Sequence, residues 1–218
     1  MYKAIKRGMD YVILLLFSPI WIPVMAIVAA LVKTTSKGPV LFKQKRVGKG
    51  CTYFTIYKFR TMRIDTPADI PTHLLENPDQ FITKVGGFLR KTSLDELPQI
   101  FNILKGDITL VGPRPALWNQ DDLVAEREKY GANDLMPGLT GWAQVNGRDT
   151  LEIADKARLD GEYAQHVSFK MDWTCFWMTV GNVLRHRGVI EGGTGVMARQ
   201  LEKREGEIKG DSSSSHEG

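Results

Sequence analysis

A chain of 218 residues, 43% hydrophobic and 25% charged, is long enough for one sizeable domain with a buried core and too short for two. Its formal net charge of +4 and pI near 9.0 suit an anionic membrane surface, a phosphate-bearing ligand or nucleic acid equally well, so only the placement of the charges discriminates. Cys51 and Cys175 have no paired spacing, and His73, His166, His186 and His216 are scattered singly, which argues against a disulfide framework, a zinc site or histidine catalysis.

Residues 11–32 form a run of 22 without a charge. At about 1.5 Å per residue it is long enough to cross a hydrocarbon core of about 30 Å. Lys33, Lys37 and a basic stretch follow it with no small-residue cleavage site, so a removable signal peptide is disfavoured. Ser18-Pro19 and Pro23 interrupt its middle, where each proline removes a backbone donor and kinks a helix. Lys3, Lys6 and Arg7 precede the run, and Lys33, Lys37, Lys43, Lys45 and Arg46 follow it. Basic flanks at both ends favour a cytoplasmic position for both, which requires the segment to turn back near Ser18-Pro19. A proline-kinked spanning helix is the other arrangement that fits the pattern.

Residues 40–59 read as two alternating strands around a Gly48-Lys49-Gly50 turn, with Leu41, Tyr53 and Tyr57 among the candidate inward positions. Residues 63–80 carry Pro67, Pro71 and Pro78 with little periodicity and read as a surface loop. The second half of 81–90 looks helical. Leu97, Ile100, Phe101 and Leu104 then recur at helical spacing up to a stop at Gly106, predicting a buried amphipathic helix that begins close to Asp95. Charge-rich helices are expected over 117–130 and 151–164, separated by the turn-rich 137–149. Trp173, Phe176, Trp177, Val180 and Leu184 share one face of a last helix, with Arg185 and Arg187 at its end; the stripe suits either a membrane interface or the protein core. From Glu191 the chain turns glycine-rich and then charged, and 191–218 reads as a flexible tail.

The segment 90–115, RKTSLDELPQIFNILKGDITLVGPRP, puts two adjacent carboxylates, Asp95 and Glu96, at a helix start between Arg90 and Arg114. One reading is structural: Ser93 to Glu96 fits a capping box, or Asp95 is itself the N-cap. The other is chemical, because a carboxylate at a helix N-terminus is kept ionised by the helix dipole and free amides, can attack phosphorus, and lies where those amides and nearby arginines would hold a phosphate. Arg90, Arg114 and Arg148 are candidate clamps, since a guanidinium grips phosphate oxygens in pairs. Arg114, fixed between Pro113 and Pro115, is the best preorganised of the three.

These residues, with Lys6-Arg7 and Asp10 before the apolar run, GPVLFKQKRVGKG, YKFRTM, SLDELPQIFNILKGDITLVGPRP, PGLTGWAQVNGRD and the spaced Asp160, Tyr163, Ser168 and Asp172, closely resemble the bacterial sugar transferase family, the monotopic polyprenyl-phosphate phosphoglycosyl transferases, over roughly 1–188. The chain is similar to the family's minimal form. The resemblance implies an α+β, mostly helical fold, with a re-entrant helix-break-helix anchor broken at Ser18 and Pro19, a short β-hairpin, and amphipathic interfacial helices around a small cytoplasmic catalytic domain. It implies three regions: an anchor over 1–36, a catalytic domain over 37–190 and the tail over 191–218. It further implies that Asp95 is the nucleophile that takes the phosphosugar from a UDP-sugar with release of UMP. The carrier, a polyprenyl (undecaprenyl) phosphate, then attacks the acyl phosphate.

On the same resemblance, Glu96 assists as an acid/base or orienting group, while Lys58 and Arg60 of YKFRTM join Arg90, Arg114 and Arg148 in binding substrate phosphates. Magnesium (Mg2+) neutralises the diphosphate, with Asp95 among its ligands. The expected place is the cytoplasmic face of the bacterial cell membrane. Three other readings compete: a membrane-attached scaffold, a lipid-phosphate phosphatase and a nucleic-acid binder. The intact Asp95-Glu96 pair with its arginines argues against a scaffold, and the nucleotide-holding motifs have no purpose in a phosphatase. Nucleic acid is not an expected partner, because the basic residues crowd around the apolar segment and no nucleic-acid motif is present.

Overall fold

The computed structural model describes residues 2–66, 78–147 and 151–184. Arg148, most of the loop expected over 63–80, Arg185, Arg187 and the tail over 191–218 lie outside them. The described chain is mostly helical, with two small sheets.

The apolar run forms two helices, α1 (Tyr2–Leu16) and α2 (Ser18–Thr35), which meet at Phe17, immediately before Ser18-Pro19. Pro19 has no N–H to give to the carbonyl of Leu15, and the Ser18 hydroxyl donates to that carbonyl instead at 2.7 Å. The Trp21 indole donates to the Leu14 carbonyl at 2.8 Å, so side chains next to the break satisfy carbonyls around it. By length and composition α2 is apolar enough to cross a membrane.

Both outer ends of this helix pair dock on the same body. On α1, Arg7 donates to the carbonyls of Ile103 and Ile108 at 2.7 and 2.8 Å, Tyr2 donates to Asp172 at 2.6 Å, and Lys6 forms an ion pair with Asp172. On α2, Val28 and Val32 are buried with Phe59 and Leu89. Between the docked ends, Val12, Leu15, Leu16, Phe17, Ile20 and Ile22 are exposed.

Strands β1 (Leu41–Val47) and β2 (Tyr53–Phe59) pair antiparallel from Leu41 opposite Phe59 to Val47 opposite Tyr53, around a turn in which Gly50 and Cys51 take left-handed backbone angles. Leu41 packs against the α2 cluster as expected, but Tyr53 is exposed beneath the ammonium of Lys45, and the buried β2 residues are Ile56 and Phe59. Tyrosine and lysine can share an outer face because the aromatic ring attracts the cation.

The body continues through α3 (Lys84–Lys91), capped by the Thr83 hydroxyl, a short 3-10 turn over Leu94–Glu96, and α4 (Gln99–Lys105). The expected inward stripe of α4 is half right. Leu97 and Ile100 pack inward, whereas Phe101 and Leu104 are exposed and the interior is shared with Ile103, Gln99 and Asn102. The reason is polar: Asn102 donates to the Thr55 carbonyl at 2.7 Å and to Asp107 at 2.9 Å, and accepts from the Tyr57 N–H at 3.0 Å. This amide joins α4 to the hairpin and turns the helix by one position.

After α4 come β3 (Thr109–Val111), α5 (Asp121–Glu128), β4 (Gly138–Thr140), α6 (Trp142–Val145), α7 (Ile153–Gln165) and α8 (Phe169–Leu184). Strands β3 and β4 form a short parallel ladder that periodicity did not reveal. In α8 the aromatic face points outward. Phe169, Trp173, Phe176 and Trp177 are exposed and in ring contact with one another, while Asp172 and Cys175 are buried and Met171 and Met178 pack with Cys175 against the core. The core reading of that stripe is therefore corrected.

Replacing Asn102 by Leu should keep the volume but leave the Thr55 and Tyr57 backbone groups without their partner. A loss of about 2 kcal/mol or more is expected, read as a lower melting temperature of the detergent-solubilised protein.

Candidate active site

Asp95 and Glu96 lie in the turn between α3 and α4, and both are nearly enclosed. Their neighbours Leu94 and Leu97 pack against the Val28, Val32, Phe59 and Leu89 cluster, and Leu97 also touches the Leu14 cluster, so the two carboxylates are seated on both α1 and α2. Ser93 enters the turn with φ +56, a left-handed angle that a residue with a Cβ rarely adopts. Neither capping reading holds. Ser93 makes no side-chain cap, α4 starts after Pro98 without one, and Asp95 sits inside the turn rather than at its end.

Cations from three elements converge on the pair. Lys58 of β2 lies 2.8 Å from Glu96 and 3.9 Å from Asp95. Arg114, from the loop after β3, lies 2.8 Å from the same Glu96 oxygen, Oε1. Arg90 of α3 adds an attractive field at Asp95, and its guanidinium is held by the Thr61 hydroxyl at 3.0 Å. Burial pushes the Asp95 carboxyl above the usual range; Lys58 pulls it down, Glu96 raises it, and Arg90 and Arg114 pull it down further. Burial thus outweighs the three cations, and the carboxyl is harder to ionise than the helix-start reading expected.

The Arg114 loop is fixed by contacts between two glycine-containing motifs. The N–H of Gly112 donates to the Thr140 carbonyl and that of Gly138 to the Pro113 carbonyl, each at 2.8 Å. A Cβ on Gly138 would lie 2.1 Å from the Gly112 nitrogen, and one on Gly141 would lie 2.0 Å from the Gly112 oxygen, so only glycine allows the two backbones to approach.

Of the expected phosphate binders, the fold brings Lys58, Arg90 and Arg114 together around Asp95 and Glu96. Arg60 is directed elsewhere. It is buried and donates to the Ser36 hydroxyl and carbonyl at 2.7 and 2.9 Å, at the end of α2. Arg148 lies outside the described residues. Two further arginines near the site, the half-buried Arg46 and the buried Arg127, do not figure among the sequence candidates. Arg46 donates to the Pro115 carbonyl at 3.1 Å, and burial, followed by the nearby Arg114, lowers its guanidinium from the usual range. Arg127 of α5 donates to the Arg114 carbonyl at 2.9 Å. Alternation with Phe42 and Gln44 placed Arg46 on one strand face, and four-residue spacing from Leu123 placed Arg127 on a buried helix face.

Among the described residues no three His, Cys, Asp or Glu side chains cluster as a ready metal cage. Glu96 Oε1 is shared by Lys58 and Arg114, whereas no described group donates a hydrogen bond to Asp95. A carboxylate of this kind, beside the cations of Lys58, Arg90 and Arg114, fits magnesium, which commonly takes one or two carboxylates and completes its shell with water and phosphate oxygens.

With this geometry in place, sequence comparison is decisive: residues 1–186 match the bacterial sugar transferase family. The chain belongs to that family. It is 43% identical over 161 residues to the uncharacterized sugar transferase EpsL of Bacillus subtilis, covering 73% of this chain and 77% of that protein. It is 38% identical over 191 residues to the UDP-glucose:undecaprenyl-phosphate glucose-1-phosphate transferase of Escherichia coli, covering 82% of this chain and 40% of that protein. It is also 38% identical over 188 residues to the UDP-N-acetylgalactosamine-undecaprenyl-phosphate N-acetylgalactosaminephosphotransferase of Aeromonas hydrophila, covering 84% of this chain and 44% of that protein. The chain thus spans less than half the length of those last two relatives.

If Asp95 has to be ionised to act, activity should fall as pH drops through its raised pKa, giving an acid limb above the ordinary aspartate range in a kcat/KM profile. Arg90→Met removes a charge that favours the ionised form. The limb should then move to higher pH, and a limb that stays in place or moves down would exclude Asp95 as its source.

Proposed function

We propose that this chain moves a sugar 1-phosphate from a UDP-sugar to a polyprenyl phosphate, releasing UMP, through a covalent phosphosugar on Asp95. The observation that carries this reading is the enclosed Asp95-Glu96 pair beneath Lys58, Arg90 and Arg114. The undecaprenyl-phosphate transferases among its relatives support the substrate classes.

In the first step an Asp95 carboxylate oxygen attacks the phosphorus that carries the sugar. The bond from that phosphorus to the bridging oxygen breaks, and UMP leaves with the electron pair. In the second step an oxygen of the carrier phosphate attacks the same phosphorus, the acyl-phosphate bond breaks, and Asp95 returns as a carboxylate. Such a sequence replaces one difficult transfer by two easier ones. Arg114 and Lys58 stabilise charge spread over the phosphoryl oxygens. Glu96, already bonded by both cations, orients them rather than serving as a free base. Magnesium, held by Asp95 with the substrate's phosphates, would neutralise the diphosphate.

The same proposal includes a hairpin anchor that enters one leaflet from the cytoplasmic face. Supporting this are the contacts of both anchor ends with one body and the exposed apolar residues between them. An impermeant thiol reagent added to intact cells should label neither a cysteine at Tyr2 nor one at Lys37, and labelling of either one alone would establish a crossing helix.

A panel of UDP-sugars that includes UDP-glucose and UDP-N-acetylgalactosamine, given with undecaprenyl phosphate and magnesium, should show UMP release with at least one member. Without carrier, label from the active sugar phosphate should stay on the wild-type enzyme. Asp95→Asn should fold, melt no lower than wild type because it removes a desolvated charge, and retain no label. Turnover by that variant above a trace, with deamidation excluded, would reject the covalent route.

A further inference from the structure

Arg114 stands between two prolines in a loop whose stiffness fixes its own shape but not its orientation toward the carboxylates. Orientation has to come from whatever grips the loop from behind. One such grip is a buried ion pair between α5 and α7. Arg127 is 5% exposed and Asp160 1%. The Arg127 Nε donates to Asp160 Oδ2 at 2.8 Å, Nη2 donates to the same oxygen, and Nη2 also donates to the Arg114 carbonyl at 2.9 Å. The guanidinium of Arg114 in turn reaches Glu96 at 2.8 Å.

Each component is directional. Two coplanar N–H groups of Arg127 meet one carboxylate oxygen, which sets the plane of the guanidinium and aims the second N–H of Nη2 at the loop. Lysine carries the charge but not the fork. Asp160 has Arg127 as its principal cation, with Lys156 adding a weaker attraction, and its Oδ1 has no hydrogen-bond partner among the described residues. An ion pair this deeply enclosed is a poor source of stability, because desolvation of both charges cancels much of their attraction and an apolar pair can often replace it without loss. Its geometry is better explained by what it holds.

We propose that Arg127, locked by Asp160, is a positioning residue that sets Arg114 against Glu96 and thereby governs the grip on the donor's diphosphate. The proposal rests on reading the site as a phosphosugar transferase. Arg127 touches no substrate in it and acts only through the Arg114 backbone.

The test is a double-mutant cycle read by calorimetric binding of UDP with magnesium, alongside UMP release. Arg127→Lys should weaken UDP binding by about tenfold in the wild-type background and by less than about twofold when Arg114→Lys is already present. Equal losses in both backgrounds, or wild-type binding by Arg127→Lys, would overturn the proposal. To separate positioning from folding, the paired change Arg127→Met with Asp160→Leu should keep the melting temperature while losing UDP affinity to the same extent. A merely structural pair would instead be rescued by this apolar replacement, with binding restored, and that result too would overturn the proposal. UDP binding without UMP release by the wild-type protein would sink the transferase reading yet leave the cycle decisive, whereas absence of UDP binding by the wild-type protein would overturn both.

Discussion

Two carboxylates side by side in a nearly enclosed turn repel one another and lose the water that would stabilise their charge, so the surrounding fold has to supply cations. Lys58 arrives on a strand, Arg90 on a helix and Arg114 on a loop, and none of these segments fixes its side chain alone. The hairpin needs Asn102 to join it to α4; Arg90 is held by Thr61; the Arg114 loop needs the contact of Gly112 with Gly138 and Gly141. The core of the body can therefore be understood as the support for one electrostatic cluster.

The anchor is part of that support. Asp10 of α1 accepts a hydrogen bond from the Thr109 hydroxyl, and Arg7 binds the Ile108 carbonyl, so α1 is tied to the beginning of the strand that leads to Arg114. Asp172 receives both Tyr2 and Lys6 from α1 and the Tyr163 hydroxyl from α7, and that hydroxyl also lies 3.1 Å from the Val111 carbonyl at the end of the same strand. Pulling α1 away would leave the Thr109 hydroxyl without Asp10 and the buried Asp172 without Tyr2 and Lys6, a cost that couples docking of α1 to the order of the clamp.

The sequence made some of this legible and concealed the rest for physical reasons. Pro19 and Ser18 announced the break because a missing N–H has only local remedies, and Gly48 with Gly50 announced the turn. The joint occurrence of Asp95, Glu96, Arg90 and Arg114 identified most of the cluster. The face of α4 was misread because Asn102, a polar residue, occupies an interior position through three hydrogen bonds to elements distant in sequence. Arg46 and Arg127 were passed over because charged residues in a basic strand and a polar helix usually face water. The β3–β4 ladder is too short to show periodicity, and its signal was the glycines themselves.

Placement of the carboxylates also bears on the polyprenyl phosphate acceptor proposed above. Leu94 and Leu97 bracket Asp95 and Glu96 and pack on the buried ends of the anchor, while Phe59, next to Lys58, packs on Val28 and Val32. Immediate neighbours along these short segments thus serve α1 and α2 on one side and the charge cluster on the other, which fixes the cluster relative to the two helices without an intervening linker. Phe88, Phe101 and Leu104 are exposed on α3 and α4. On the proposed reading of the acceptor as a polyprenyl phosphate, a carboxylate pair packed directly on α1 and α2 spares the enzyme from drawing the lipid tail into water, where each CH2 group brought out costs about 0.8 kcal/mol. Fixing the site to the anchor removes that requirement more economically than a mobile domain would, because the approach distance is then set by packing rather than by diffusion of a tethered body.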